Sequence, residues 1–145
     1  MGPHMHAYHG SCHCGAVKIT LRSLKTAQEL GARSCQCTFC RAHGASWTSD
    51  SGGKLEITIP RDKLSRYTFG TGTAEFLICG TCGVVPAVVW KDGEQLLGVV
   101  RVNCLEASEV LLANVGKADF DGETEAKRLE RRARSWTPAS VQVMG

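Results

Sequence analysis

The sequence lacks the features that mark membrane and nucleic-acid-binding proteins. Its longest uninterrupted apolar run, residues 84–90, contains Pro86 and is far shorter than the roughly 20 residues of a membrane-spanning helix. The excess of basic over acidic residues is only +3, and aromatic residues make up 6% of the chain. The charge surplus and the stacking side chains that nucleic-acid-binding domains use are therefore scarce. We expect neither a membrane nor a nucleic-acid partner.

The chain also lacks the small size that makes a protein depend on disulfides. Its 145 residues, 43% hydrophobic and 21% charged, are enough for one domain with its own core. No apolar signal segment precedes Cys12, so we expect a cytoplasmic protein with reduced cysteines. Residues 8–136 are predicted to form the domain and residues 137–145 a C-terminal tail. Residues 1–7 are expected to be a disordered leader, because Gly2-Pro3-His4-Met5 resembles the remnant of a cleaved tag. A monomer and a homodimer both stay open.

Apolar and polar residues alternate with a period of two in several segments. This pattern predicts half-buried, antiparallel strands. The predicted strands cover residues 17–22, 54–60, 64–69, 74–79, 84–91 and 94–102. Asp92-Gly93 between the last two predicts a two-residue type I′ hairpin turn. The sequence thus indicates a mainly β fold, with short helices near the C-terminus at residues 106–113 and 122–134.

The second predicted helix carries a cluster of basic residues. Glu123 and Lys127, like Glu130 and Arg134, have the i,i+4 spacing that stabilises an isolated helix. We interpret the basic residues as a solvated helix face, and anion binding is the alternative. The residues concerned are Lys127, Arg128, Arg131, Arg132 and Arg134.

Seven of the eight cysteines fall into three tight groups. The groups are Cys12-His13-Cys14-Gly15, Cys35-Gln36-Cys37-Thr38-Phe39-Cys40 and Cys79-Gly80-Thr81-Cys82-Gly83. Such spacing is typical of zinc ligands. Gly15 supplies conformational freedom for the first bend, and Gly83 allows the positive φ that closes the turn of Cys79-x-x-Cys82. The remaining Cys104 is interpreted as a core residue.

Two alternatives compete with metal binding at these groups. Free cysteines are often simply buried, but burial alone does not explain the regular spacing. A redox pair at Cys79 and Cys82 would be expected in a βαβ setting, which the sequence does not show. His4, His6 and His9 lie in or near the leader, and His13 is interpreted as pointing away from the metal, so none of them is counted as a ligand.

Seven ligands divide into four plus three. Cys12 and Cys14 with Cys79 and Cys82 would form a closed tetrathiolate that joins distant segments, which is a structural zinc site. Cys35, Cys37 and Cys40 would then hold a second zinc with one open position, the mark of a catalytic site. His43 could close that position instead, since Cys40-x-x-His43 is an acceptable ligand step. We expect two zinc ions per chain.

These motifs, in this order, resemble the glutathione-dependent formaldehyde-activating enzyme family, including its centromere protein V-like relatives. The resemblance covers about residues 8–136. It implies an antiparallel β-tent of small sheets pinned by a structural zinc on the outer four cysteines and a second zinc on the middle three. It also implies glutathione as co-substrate and a carbon-sulfur lyase that adds a thiol to formaldehyde or another small electrophile.

Catalysis at the second site would need a partner for the oxyanion that forms on the aldehyde. Arg41 and His43 follow Cys40 directly and are the predicted candidates beside Cys35, Cys37 and Cys40. Trp47 is interpreted as a core residue, with a pocket wall as the alternative. The competing hypothesis is a non-enzymatic zinc module that binds protein or nucleic acid through the basic cluster.

Overall fold

Strands dominate the fold, which is described by a computed structural model over residues 5–35, 37–69, 72–113, 115–118 and 123–145. The strands of this part of the chain are β1 (His6–Ser11), β2 (Lys18–Ser23), β3 (Ala32–Cys35), β4 (Ser46–Thr48), β5 (Lys54–Pro60), β6 (Leu64–Tyr67), β7 (Ala74–Cys79), β8 (Ala87–Asp92), β9 (Gln95–Arg101), β10 (Val115–Ala118) and β11 (Thr137–Met144). The helices are α1 (Ala27–Leu30), α2 (Thr38–His43), α3 (Ser108–Leu112) and α4 (Glu125–Ser135). The predicted mainly β class with short helices is confirmed.

The alternating segments behave as their period predicts. In β2, Ile19 and Leu21 are buried while their neighbours are exposed or half-buried. Leu55 and Ile57 of β5 are buried in the same way and lie opposite Leu21 and Ile19 in an antiparallel pair. These apolar side chains face one core because successive side chains of a strand point to opposite sides.

The sheet is mixed, which differs from the antiparallel arrangement that the sequence predicts. The strand order is β1-β2-β5-β11-β9-β4-β3-β10, and β6, β7 and β8 continue from β9 in the order β9-β8-β7-β6. Two pairs are parallel, β5 with β11 and β3 with β10. Alternation reports which face of a strand is buried and carries no information on the direction of the neighbouring strand.

β9 is the junction of the sheet. It pairs with β8 along its whole length, and its other edge pairs with β11 at Leu97 and Gly98 and with β4 at Val100 and Arg101. One apolar core contains the buried side chains of β2 and β5 together with Cys12 and Cys79. A second core contains Cys40 and most of the large aromatic side chains. Each cysteine cluster is thus anchored in its own core.

The hairpin between β8 and β9 is present, but its turn is shifted by one residue. Asp92 pairs with Gln95, so the loop is Gly93-Glu94. Gly93 has a φ of 62°, and all positive φ angles of the described residues belong to glycine. A positive φ at the first loop position alone is the pattern of a type II′ turn, and the predicted type I′ turn at Asp92-Gly93 is wrong.

Both ends of the described chain contribute to the sheet. His6 and Ala7, which the sequence analysis places in a disordered leader, belong to β1 and pair with β2. Residues 137–144, expected as a tail, form β11 between β5 and β9. The predicted start of the last helix at residue 122 lies outside the described residues. Within the described ranges, every helix is too short or too polar to cross a membrane.

Candidate metal centres and active-site cavity

Four cysteines from distant parts of the chain meet at the end of β1 and β7. The sulfur atoms of Cys12, Cys14, Cys79 and Cys82 all lie within 4.8 Å of one another. The Sγ atom of Cys14 is 3.6 Å from that of Cys12 and 3.6 Å from that of Cys79. This convergence of four thiols is the donor set of a structural zinc site.

Two tight turns create this four-cysteine cluster. The amide of Gly15 donates to the carbonyl of Cys12 at 3.1 Å, and the amide of Gly83 donates to the carbonyl of Cys79 at 2.8 Å. Gly83 has a φ of 78°, as predicted, and Gly15 has a φ of 84°. The amide of Val17 also donates to the Cys12 sulfur at 3.3 Å. These backbone hydrogen bonds therefore help to bring the four sulfurs together.

The amides around the four-cysteine cluster favour thiolate formation at Cys82. Burial raises the pKa of this thiol, but hydrogen bonds from the backbone amides of Cys14 and Val84 and from the thiols of Cys79 and Cys12 outweigh it and lower the pKa to about 6. A deprotonated sulfur is the form that binds a metal. The residues present therefore fit a tetrathiolate zinc.

The middle three cysteines form a second cluster where β3 leads into α2. The sulfurs of Cys35, Cys37 and Cys40 lie within 4.8 Å of one another. Cys35 ends β3, and Cys37 caps α2, its sulfur accepting a hydrogen bond from the Cys40 amide at 3.4 Å. Cys40 is buried inside the helix's first turn. The short helix α2, which the sequence analysis did not predict, thus positions two of the three thiols.

The thiols of the three-cysteine cluster compete for protons. Hydrogen bonds from the thiols of Cys35 and Cys40, aided by the backbone amides of Cys40 and Phe39, lower the pKa of Cys37 against the opposing effect of burial. Hydrogen bonds with the thiols of Cys35 and Cys37, followed by burial, raise the pKa of Cys40. These opposite directions favour the thiolate form at Cys37 over Cys40. A divalent ion that displaces the other protons would fit this donor set.

Arg41 and His43, the predicted oxyanion partners, are exposed and do not line the cavity described below. The His43 ring packs against Phe39 with ring centres 4.5 Å apart, and its carbonyl accepts from Arg101 at 2.9 Å. Among the described residues within ligating distance of the three-cysteine cluster, only cysteines occur. The geometry therefore gives no support to His43 as a fourth ligand.

His13, Cys104 and Trp47 lie near the cysteine motifs in the sequence or were considered as site residues. His13 is exposed. Cys104 packs against the first core, where burial raises its pKa to about 11, as expected of a core thiol. Trp47 is 4% exposed and also lines the cavity, so the core and pocket-wall interpretations both apply.

A half-open cavity of about 150 Å³ begins at the three-cysteine cluster. All three of its cysteines line this cavity, and of the described lining residues these are the only cysteines. Aromatic side chains form much of the remaining wall, namely Trp47, Phe69, Phe76 and Trp136. The three-cysteine cluster therefore faces a half-open, largely apolar space.

Four arginines line the same cavity: Arg33, Arg128, Arg131 and Arg132. Three of them belong to the basic cluster of α4, which the sequence analysis interprets as a solvated face. That interpretation is wrong for Arg132, which is 7% exposed, and for the half-buried Arg128 and Arg131. It holds for Lys127 and Arg134, which are exposed. The inward position of these arginines also removes most of the basic surface on which a nucleic-acid module would depend.

Arg33 and the α4 arginines are the site residues that sequence reasoning missed. Arg33 lies in β3, two residues before Cys35. Nothing in its sequence context distinguishes it from other arginines. Arg128, Arg131 and Arg132 have i, i+3 and i+4 spacing, which places them on one side of a helix. That spacing was a usable signal, but it does not reveal whether the side faces solvent or protein.

Residues 7–117 match the family model described as glutathione-dependent formaldehyde-activating enzyme. The chain belongs to this family. The match includes all three cysteine motifs and Arg33, whereas α4 with its three cavity-lining arginines lies beyond it. The matched region therefore contains both cysteine clusters, and three of the four cavity-lining arginines follow it in the chain.

A solved structure agrees with this membership. A crystal structure of a Rhodobacter sphaeroides protein, obtained as a structural genomics target, is 35% identical to this chain and superposes with a TM-score of 0.51. The similarity covers 68% of this chain and 87% of that one.

Short stretches of the chain also resemble parts of longer, curated enzymes. The 4-hydroxy-tetrahydrodipicolinate synthase of Prochlorococcus marinus strain MIT 9303 is 36% identical over 52 residues, which are 36% of this chain and 17% of that enzyme. The synthase of strain NATL2A is 30% identical over 79 residues, or 54% of this chain and 26% of that enzyme. This family member thus spans about a quarter or less of these curated relatives.

Proposed function

We propose that the protein is a zinc-dependent carbon-sulfur lyase of the S-(hydroxymethyl)glutathione synthase type, which joins glutathione and formaldehyde or a similar small electrophile. The observation that carries the proposal is that the three-cysteine cluster faces the cavity, whereas the four-cysteine cluster does not line it. This difference supports a closed structural site at the four-cysteine cluster and an open reactive site at the three-cysteine cluster.

Cys35, Cys37 and Cys40 would hold the reactive zinc, and Cys12, Cys14, Cys79 and Cys82 the structural one. A zinc ion held by three thiolates would keep one coordination position open, and a thiol bound there would lose its proton at neutral pH. In the reaction a carbon-sulfur bond forms as the carbonyl π bond opens, and the proton lost by the thiol ends on the new hydroxyl oxygen.

The cavity walls supply the environment for this reaction. Trp47, Phe76 and Trp136 are buried apolar side chains that limit the water beside the three-cysteine cluster. The positive charges of the cavity-lining arginines would stabilise negative charge that develops on the electrophile's oxygen, because electrostatic effects are stronger where water is excluded. This role, assigned from sequence to Arg41 and His43, suits the cavity-lining arginines better because those two side chains are exposed.

The proposal is tested by the rate at which ¹³C-formaldehyde exchanges with its glutathione adduct, measured by exchange NMR on zinc-replete protein. Wild-type protein is expected to accelerate the exchange above the spontaneous rate. Cys37→Ser should abolish the acceleration, and Cys104→Ser, which alters a thiol outside both clusters, should retain it. Equal acceleration by wild type and Cys37→Ser would refute the proposed reactive site.

A further inference from the structure

The cavity has more arginines than the carboxylates that contact them in the described part of the chain. Four arginines line it, and the described lining residues include no aspartate or glutamate. Glu123 lies just outside and contacts two of the four, Arg131 at 3.0 Å and Arg128 at 3.6 Å. The guanidinium groups of half-buried Arg33 and buried Arg132 therefore line the cavity without a carboxylate in ion-pair contact among the described residues. Buried cations are normally paired.

Arg132 is held rigidly beside the cavity. Its guanidinium carbon lies 5.0 Å from the ring centre of Trp136 and 5.9 Å from that of Trp90, and its Nη1 donates to the Thr73 hydroxyl at 2.7 Å. The side chain is 7% exposed, and its buried Nε has no hydrogen-bond partner within the described part of the chain. An unsatisfied donor on a buried cation is costly unless a ligand meets it.

Arg33 is fixed on the wall next to the cysteines. Its Nη2 donates to the Ser49 hydroxyl at 2.8 Å, and that hydroxyl donates to the carbonyl of Ser135 at the end of α4. Burial and the neighbouring charge of Arg131 lower the pKa of Arg33. A hydrogen-bond chain thus connects β3, which carries Cys35, to the helix that carries Arg132, so the two cations are held in one rigid wall.

We propose that Arg33 and Arg132 form a binding site for a compact oxyanion carried by the thiol substrate, a carboxylate or a phosphate group. The enzyme would thereby select acidic thiols over neutral ones. Arg33 lies inside the region that matches the family, and Arg132 follows it in α4. The thiol part of the inference rests on the proposed function, whereas the oxyanion site does not.

The experiment compares 3-mercaptopropionate with neutral 2-mercaptoethanol by isothermal titration calorimetry on zinc-loaded protein. Wild-type protein should bind the acidic thiol about tenfold or more tightly, since a hydrogen bond between charged groups is involved. Arg132→Gln and Arg33→Gln should each remove most of this preference. Arg134→Gln on the exposed side of the same helix is the matched control and should keep it.

Arg132→Lys tests charge apart from packing, because Lys keeps the positive charge but cannot reproduce the planar guanidinium stacking. It should recover part of the preference lost in Arg132→Gln if that variant remains folded by circular dichroism. Full preference for the acidic thiol in both Arg132→Gln and Arg33→Gln would overturn the proposal.

A second measurement separates this inference from the proposed function. Propionate and inorganic phosphate are titrated into Cys37→Ser, which lacks the complete three-cysteine cluster, and into Cys37→Ser combined with Arg132→Gln. Weaker binding in the double variant supports the oxyanion site even if neither thiol binds wild type and the proposed function fails. Equal binding of both anions to the two proteins overturns the site. Tighter binding of propionate identifies a carboxylate as the group recognised, and tighter binding of phosphate identifies a phosphate ester.

Discussion

Gly10 lies where β1 passes the backbone of Cys104 and Leu105, and it forms an isolated bridge with Leu105. A Cβ atom added to Gly10 would collide with the Cys104 carbonyl. Because neither partner of this contact is a flexible side chain, the clash cannot be relieved by a rotamer change. The absence of a side chain at Gly10 is therefore required for β1 to reach the core that holds Cys12.

We predict that Gly10→Ala lowers the free energy of unfolding by about 1–3 kcal/mol, the usual cost of overpacking, measured by urea denaturation. Gly116→Ala is the control, because an added Cβ there meets nothing within 4 Å. Its stability should be equal to that of the wild type or slightly higher, since glycine weakens strands. Equal stability of the two variants would show that β1 shifts freely.

At the scale of the element, two arginines of α4, Arg128 and Arg131, form ion pairs with Glu123 just before the helix. Thr124 caps its N-terminus, and Glu123 just before the cap accepts hydrogen bonds from Arg131. Burial raises the pKa of the Glu123 carboxyl, but hydrogen bonds and positive charge from Arg131, together with Arg128, outweigh it and lower the pKa below 4.5. The carboxylate thus fastens the start of α4 to its arginine side.

This depressed pKa gives a pH dependence of defined sign. A carboxyl whose pKa is lower in the folded state stabilises the protein above its unfolded pKa, and this contribution is lost as the pH falls through the folded value. Glu123→Gln should therefore lower stability by roughly 1.5–3 kcal/mol at pH 7, and the difference from wild type should shrink below about pH 4.5.

The measurement is urea unfolding of both proteins across this pH range, so that metal-linked losses common to both cancel. Glu130→Gln is the control, because the Glu130 side chain is 73% exposed and lies 3.9 Å from Arg134. Exposed pairs contribute little, so this variant should differ from wild type by less than about 0.5 kcal/mol. A difference for Glu123→Gln that does not change with pH would contradict the ion-pair assignment.

On the scale of the whole molecule, the four-cysteine cluster connects distant strands, whereas the three-cysteine cluster connects neighbouring elements. Cys79 is fully buried in the first core and joins the end of β7 to the segment after β1. The three-cysteine cluster joins only β3 to the adjacent α2. Loss of the first site therefore separates distant parts of the sheet, whereas loss of the second affects a local segment.

We predict that Cys79→Ser unfolds or aggregates, whereas Cys37→Ser keeps the fold, because binding of a structural zinc is coupled to folding. Circular dichroism and thermal unfolding check the fold. Metal analysis should give about two zinc ions in the wild type and about one in Cys37→Ser. Equal collapse of both variants, or about one zinc in wild type, would contradict the division into a structural and a reactive centre.

Prediction from the sequence succeeded where the signal is local. The alternation at Ile19 and Ile57 and the Cys-x-x-Cys82-Gly83 turn depend on residues close in the chain, and the structure contains both. Prediction failed for the parallel neighbours of β5 and for β11, since pairing of distant strands leaves no local pattern. Arg41 and His43 were assigned by proximity along the chain to Cys40, and the chain turns their side chains to solvent.

The sequence by itself determined the mainly β class, the four-plus-three division of the cysteines and the family, because ligand chemistry and strand alternation are written in residue types and short spacings. The tertiary structure decided which cluster faces the cavity, and it brought Arg33 and Arg132 to the lining of that cavity. Those residues are 99 positions apart by number. Whether the charged side of a helix faces solvent or protein depends on the core against which the helix packs. The spacing of the arginines is the same in both cases, so the sequence alone does not decide between them.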